Sequence, residues 1–256
     1  MKVVAIINQK GGVGKTTTSV NLCHALAELG KKVTVIDLDP QGHLSVSFGV
    51  RNLKQSGIDA VMLGEKGIDE QVVQIRENLR LITSGPRLQE IEQLTSNSTH
   101  RADLLKKSLT NSDMAEQDFL FIDCPPSSGL LIVNALYAAE EILIPMTSDF
   151  LALQGLSHLM GTVKKFERAL KKQYTARLVI SRYTPNRKIS KQVLNVLLSH
   201  FPSQILATAI RETTLLSECP SFGKTILEYS PESRSAKDFR KLAIDFMEGR
   251  VMYGRK

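Results

Sequence analysis

The stretch Lys10-Gly11-Gly12-Val13-Gly14-Lys15-Thr16-Thr17 decides the fold, and it carries two lysines where a phosphate-binding loop needs one. Before it stands Val3-Val4-Ala5-Ile6-Ile7, a short, β-branched apolar run that reads as a buried parallel strand. After it, Thr18–Ala27 and the residues just beyond place apolar side chains at 20, 22, 23, 26 and 29, a helical spacing. Strand, glycine loop and helix together make an anion site. Glycines let backbone N–H groups close around phosphate oxygens, and the helix N-terminus adds partial positive charge. Lys15 can reach β- and γ-phosphates, the Thr16 hydroxyl can ligate Mg²⁺, and Thr17 is placed for the α-phosphate. The usual pattern G-x-x-x-x-G-K-[ST] asks for glycine at position 9, where this chain has Gln9. The sequence matches the variant K-G-G-x-G-K-T instead.

At 256 residues the chain is long enough for a substantial core, and it reads as one domain spanning 1–256. Its composition, 42% hydrophobic and 23% charged, is that of an ordinary soluble protein. No apolar run approaches the ~20 residues that cross a membrane. The first strand starts almost at residue 1, which leaves no room for a signal peptide. Three separated cysteines, Cys23, Cys124 and Cys219, suit a reducing cytoplasm better than a disulfide framework. Charge is uneven: residues 1–160 hold 14 Lys/Arg against 18 Asp/Glu, whereas 161–256 hold 19 against 8. A basic second half points to a polyanion, either nucleic acid or anionic lipid.

Strands and helices alternate along the chain. Strands are predicted at 33–36, 79–82, 119–122, 141–144, 177–180 and, briefly, 204–207. Helices are predicted at 58–63, 102–109, 130–138, 151–170, 190–199 and 236–248, with a poorly patterned polar stretch at 95–100. This alternation implies an α/β fold with a largely parallel sheet covered on both faces. Ligands of such sheets bind beyond the carboxyl ends of the strands, where Asp37, Asp39 and Asp123 fall beside the glycine loop. Asp123 closes an apolar strand and is placed to hold Mg²⁺, directly or through water. Asp39, farther past its strand, is the better candidate to position or deprotonate a water; Asp37 can brace Mg²⁺ waters or the loop.

Asn8–Thr17 (N-Q-K-G-G-V-G-K-T-T), Asp37–Gly42 (D-L-D-P-Q-G) and Phe121–Pro126 (F-I-D-C-P-P) resemble the three nucleotide motifs of the ParA/Soj partition ATPases. These belong to the deviant-Walker-A group that also contains MinD. Ser148–Leu156, Leu216–Lys224 and Tyr229–Phe239 extend the resemblance nearly end to end. It implies a three-layer P-loop NTPase fold with a mostly parallel sheet and helices on both faces, and slow, partner-stimulated hydrolysis of ATP with Mg²⁺. It further implies an ATP-dependent homodimer that binds DNA without sequence preference, a ParB-like activator, and a cytoplasmic, nucleoid-associated protein. Lys10 would cross to the phosphates of the other subunit, acting as an arginine finger does. Catalytic roles then fall to Lys10, Lys15 and Asp39. Cofactor contacts fall to Lys10, Gly11, Gly12, Val13, Gly14, Lys15, Thr16, Thr17 and Asp37, with Pro231 as the base contact, and metal ligation falls to Thr16 and Asp123.

The sequence departs from its relatives in three places. His43 stands where asparagine is common, and Ile180-Ser181-Arg182 stands where an Asn-Arg pair often follows the strand. Two family arginines before L-S-E-x-P-S fall on Glu212 and Leu215, with Arg211 only a neighbour. DNA contact is therefore expected from other cations: Arg187, Lys188, Lys191, Arg211, Lys224, Arg234, Lys237, Arg240 and Lys241. A MinD-like membrane ATPase is the alternative, but the tail Arg250–Lys256 is short and weakly apolar for an anchor. An iron–sulfur carrier would need paired cysteines, which the spacing does not supply.

Overall fold

The computed structural model describes residues 1–50, 56–93, 101–110, 112 and 114–253. In chain order the elements are β1 (Lys2–Ile6), α1 (Lys15–Glu28), β2 (Val33–Asp37), α2 (His43–Ser47), α3 (Ile58–Met62), β3 (Val73–Arg76), β4 (Leu79–Ile82), α4 (Leu88–Gln93) and α5 (Leu104–Thr110). They continue with β5 (Phe119–Asp123), α6 (Leu130–Ala138), β6 (Glu141–Thr147), α7 (Phe150–Leu170), β7 (Thr175–Ser181), α8 (Lys188–His200), α9 (Leu215–Phe222), α10 (Ile226–Tyr229) and α11 (Arg234–Glu248).

Seven strands form one sheet in the order β3-β4-β2-β5-β1-β6-β7, parallel throughout except that β3 runs antiparallel to β4. β-Branched and aromatic residues fill the central strands because both faces are covered. One apolar cluster joins α3 through α8 to one face; the other joins α1, α2, α9, α10 and α11 to the opposite face. Helix α11 shows the rule locally. Ala236, Phe239, Leu242, Ala243 and Phe246 are buried at helical spacing, Ser233 caps the start, and Gly249 at φ 68° ends it.

The central element order follows the sequence, with three differences. Residues 204–207 form no strand: Ile205 bridges Leu178 and Leu206 bridges Val251 as isolated pairs, because the segment turns from β7 to the C-terminal tail after one contact. The same turn pins the tail, with Met252 N–H donating to the Ile205 carbonyl at 2.8 Å. Leu29, counted on the apolar face of α1, is 44% exposed at the helix C-cap. The antiparallel edge strand β3 and the short helices α2, α4, α9 and α10 had no clear periodicity. The polar stretch 95–100 lies outside the described residues. Among those described, no helix is long and apolar enough to cross a membrane.

Candidate functional site

The sheet delivers β1, β2 and β5 side by side, so their carboxyl ends and the loops that leave them converge. Between β1 and α1 the loop carries Gly12 at φ 72° and Gly14 at φ 88°. Gly14 ends the loop in the left-handed region, which a residue with a Cβ enters only with strain. The first N–H groups of α1 follow at once, and a helix offers them no internal acceptor. The end of β7 holds this loop from outside. Ser181 Oγ donates to the Val13 carbonyl at 2.6 Å, and Arg182 reaches the Gly12 carbonyl at 3.5 Å.

A cleft of about 900 Å³ opens over the loop. It is lined by Gly11, Gly12, Gly14, Lys15, Thr16, Thr17 and Asp39, by Ser181 and Arg182 against the loop, and by residues 210–214. Lys15 Nζ lies 3.5 Å from the Lys10 carbonyl. Burial pulls its pKa down, opposed by Asp123 and then Asp39.

Three carboxylates crowd the strand ends, and each is held differently. Asp123 accepts from Thr16 Oγ1 at 2.8 Å and from Ser19 Oγ at 2.7 Å. Burial raises its pKa to about 6 despite these bonds. Asp37 sits opposite it in register, fully buried, and accepts from Ser45 N–H at 2.9 Å and Ser45 Oγ at 2.8 Å. Its Oδ1 is buried without a hydrogen bond, and burial, then the Asp123 charge, push its pKa to about 7. Asp39 lines the cleft and accepts from Gln41 N–H at 3.0 Å in a tight turn. So Asp37 braces α2 from beneath the cleft and does not line it. Its hydrogen bonds go to α2 and not to the glycine loop.

This donor set suits a hard divalent cation. A hydroxyl and a carboxylate meet at Thr16 and Asp123, and acids that raise one another's pKa mark an excess of negative charge. Mg²⁺ takes one or two such protein oxygens and completes its octahedron with waters and phosphate oxygens. Among the described residues no three His, Cys, Asp or Glu side chains form an all-protein metal cage.

The second lysine points elsewhere. Lys10 Nζ lies 3.1 Å from both carboxylate oxygens of Asp149, the N-cap of α7. The pair sits in a neighbouring hollow with Arg182, Arg187 and Glu212, outside the main cleft. Burial opposes ionisation of Asp149, but hydrogen bonds from Thr147 and Lys10 outweigh it and keep its pKa below the usual value. Arg182, at φ 50°, donates to Glu212 at 3.0 and 2.7 Å and stands between hollow and cleft.

A family model described as an AAA domain matches residues 1–176. The sporulation initiation inhibitor protein Soj of Bacillus subtilis (strain 168) is 36% identical over 245 residues, covering 94% of this chain and 96% of Soj. The chain belongs to the Soj/ParA family. The chromosome partitioning protein ParA of Myxococcus xanthus is 33% identical over 251 residues, 96% of this chain and 88% of that one. A plasmid partition protein from Borrelia burgdorferi, solved with AMPPNP, superposes with TM-score 0.83 at 26% identity, covering 96% of this chain and 98% of that chain. These matches make the fold a Soj/ParA-type P-loop ATPase fold.

Within this Soj/ParA member, Gly11, Gly12, Gly14, Lys15, Thr16, Thr17 and Asp39 meet at the cleft, with Val13 buried behind the loop and Asp123 beneath Thr16. Pro231 is exposed, its carbonyl accepts from Arg240 at 2.8 Å, and it is not among the cleft-lining residues. Sequence reasoning missed Ser19, Ser45, Asp149 and Glu212, whose roles arise from contacts 8 to 139 residues away in the chain.

The basic candidates divide into two groups. Arg211 is paired with buried Asp238 at 2.6 Å, Lys237 with Glu232 at 3.2 Å, and Arg240 with Glu28 at 2.8 Å. These three are partly neutralised inside the chain. Arg187, Lys188, Lys191, Lys224, Arg234 and Lys241 are exposed and make no ion pair with a described residue.

Proposed function

We propose that this chain is a partition ATPase whose ATP-bound form pairs with a second copy and holds DNA without sequence preference. A ParB-like partner stimulates hydrolysis and releases the DNA, and the protein works in the cytoplasm on the nucleoid. The observation that carries this reading is the separation of the two lysines: Lys15 lies in the cleft, while Lys10 lies outside it on a side-chain pair that a partner surface can replace. The names of its relatives, partitioning proteins of chromosomes and plasmids, support the same biology.

ATP brings the transferable γ-phosphoryl group, and Mg²⁺ neutralises charge that develops on its oxygens. The chain's own parts do the rest. The glycine loop and the start of α1 cradle phosphate, and Lys15 supplies a fixed positive charge. Thr16 and Asp123 would hold the metal, and Asp39 orients a water at the cleft. Lys10, delivered from the second copy, completes the charge around the phosphates. For the base, Ile210 to Thr214 offer a wall of the cleft, which Pro231 does not line.

The test is a DNA mobility shift with wild type and Asp39→Ala, each with ATP or ADP. Both proteins are expected to shift DNA with ATP only, and Asp39→Ala to stay bound after wild type has turned over its nucleotide. DNA binding indifferent to nucleotide, or sedimentation with anionic vesicles in place of DNA binding, would overturn the reading.

A further inference from the structure

The charge imbalance of the second half has a source that the nucleotide site does not use. Five of its cations, Lys164, Lys165, Arg168, Lys171 and Lys172, fall within nine residues at the end of α7. Lys164 and Arg168 are spaced i, i+4 on one side of the helix, and Lys171 follows as its left-handed C-cap. They border an open concavity of about 640 Å³ lined by Lys164, Glu167, Arg168, Lys171, Lys172 and Gln173.

The charges are poorly compensated. Lys164, Lys165, Arg168 and Lys171 make no ion pair with a described residue. The acid in the concavity, Glu167, is engaged through Oε1 by the Tyr174 N–H at 3.0 Å. Lys172 donates to the carbonyls of Tyr137 and Ala139, which fixes it at the end of α6. Burial lowers its pKa, and Lys106 of α5 lowers it further, so a cation from a second helix adds to the same field.

Position matters as much as charge. Helix α7 leaves the carboxyl end of β6 and returns to the start of β7, so its last turns lie at the sheet edge opposite the glycine loop. A second copy seated over the phosphate cleft leaves this edge uncovered. From Lys164 to Leu170 the helix rises roughly 9 Å, and Lys171 and Lys172 carry the charge past its C-cap, enough to follow two to three phosphates of one DNA strand. Among the described side chains, the large exposed apolar ones lie elsewhere, with none between Phe150 and Ile189. A surface that inserts into lipid needs such side chains beside its cations. Charge without apolar anchors fits a nucleic-acid backbone.

We propose that the last turns of α7 form a sequence-independent contact for DNA phosphates, on the edge of the molecule away from the nucleotide. The inference rests on the partition reading and adds a location for the DNA that the missing arginines at Glu212 and Leu215 leave open. In the paired form each protomer presents one such edge.

The experiment measures binding of a labelled 60-base-pair duplex of arbitrary sequence, with ATP, over a salt series. It compares wild type with Lys164→Gln/Arg168→Gln/Lys171→Gln and with Arg187→Gln/Lys188→Gln/Lys191→Gln. The α7 variant is expected to bind at least ~10-fold more weakly at 0.1 M salt. Its log–log salt slope should be shallower by about 2.7 per protomer, from three lost phosphate contacts. ATP-driven pairing, read by sedimentation, should be unchanged. Wild type that fails to bind DNA defeats the partition reading itself. Wild type that binds, with an α7 variant of equal affinity and slope, overturns only this inference. An α7 variant that keeps DNA binding but loses binding to phosphatidylglycerol vesicles overturns it in favour of lipid. If the triple variant unfolds by circular dichroism, Arg168→Gln alone decides: a slope shallower by about one supports the contact, and an unchanged slope refutes it.

Discussion

Replacing Asp149 with asparagine separates two jobs that one carboxylate performs. As N-cap of α7 it accepts the Ala152 N–H at 2.9 Å, a role asparagine fills equally well. As partner of Lys10 it holds that ammonium at 3.1 Å from both oxygens, and asparagine cannot replace the charge. If Lys10 must leave Asp149 to enter the site of a second copy, the pair opposes dimerisation. The side chains are 39% and 46% exposed, so solvent screens the attraction and the pair contributes about 0.2–1 kcal/mol. A symmetric dimer breaks two such pairs, roughly 0.4–2 kcal/mol, so Asp149→Asn should tighten dimerisation about 2- to 30-fold. Sedimentation equilibrium with saturating ATP, in an Asp39→Ala background to stop turnover, reads this directly. The gain should shrink as salt rises, because salt screens the pair being removed. An unchanged or weaker dimer, with thermal stability unaltered, would refute the idea that Asp149 withholds Lys10.

Three further outcomes follow from the site. Lys15→Ala should abolish measurable ATP binding by calorimetry, since it strips the ammonium that the loop and the start of α1 themselves carry into the cleft. Nucleotide- and Mg²⁺-free protein should lose stability as pH rises. Asp37 and Asp123 have native pKa values of about 7 and about 6, raised from 3.8, so the unfolded chain gives up their protons first. Their favourable contribution is full below about pH 4 and is lost as pH passes through 6 to 7. Asp37→Asn should flatten much of that decline, an effect on the order of a few kcal/mol in thermal melts between pH 4.5 and 8. Equal slopes for mutant and wild type would contradict the buried-acid assignment. Arg211→Ala strands the Asp238 carboxylate, 4% exposed, and should cost about 1–3 kcal/mol in urea unfolding, recovered in part by adding Asp238→Asn. A loss of DNA affinity without a loss of stability would instead return Arg211 to the DNA surface.

The phosphate loop was legible because its chemistry is local. Gly12, Gly14, Lys15 and Thr16 lie within five residues, and the strand and helix around them follow from β-branched and helical spacing. The convergence of Asp39 and Asp123 was legible through a fold rule, since both follow apolar runs that a parallel sheet aligns. What failed to show was set by distance or by burial. Nothing near Lys10 announces Asp149, which lies 139 residues on. Asp37 and Asp39 look alike in sequence, yet one is sealed beneath the cleft and the other lines it. Pro231 was assigned by likeness alone; its carbonyl accepts from Arg240, and it is not among the cleft-lining residues. Helix α9 was hidden by Pro220 within it, and β3 by its exposed edge position.

The grip of β7 on the glycine loop bears on how tightly nucleotide is held. Ser181 and Arg182 draw the carbonyls of Val13 and Gly12 toward β7 before any anion arrives. A loop left free would have to settle its backbone dipoles at the moment of binding, and that ordering would be charged against affinity. Here the strand at one edge of the protein performs the ordering during folding. Two carbonyls of the phosphate loop are therefore already engaged when β7 docks against β6, and less ordering is left for the anion to impose.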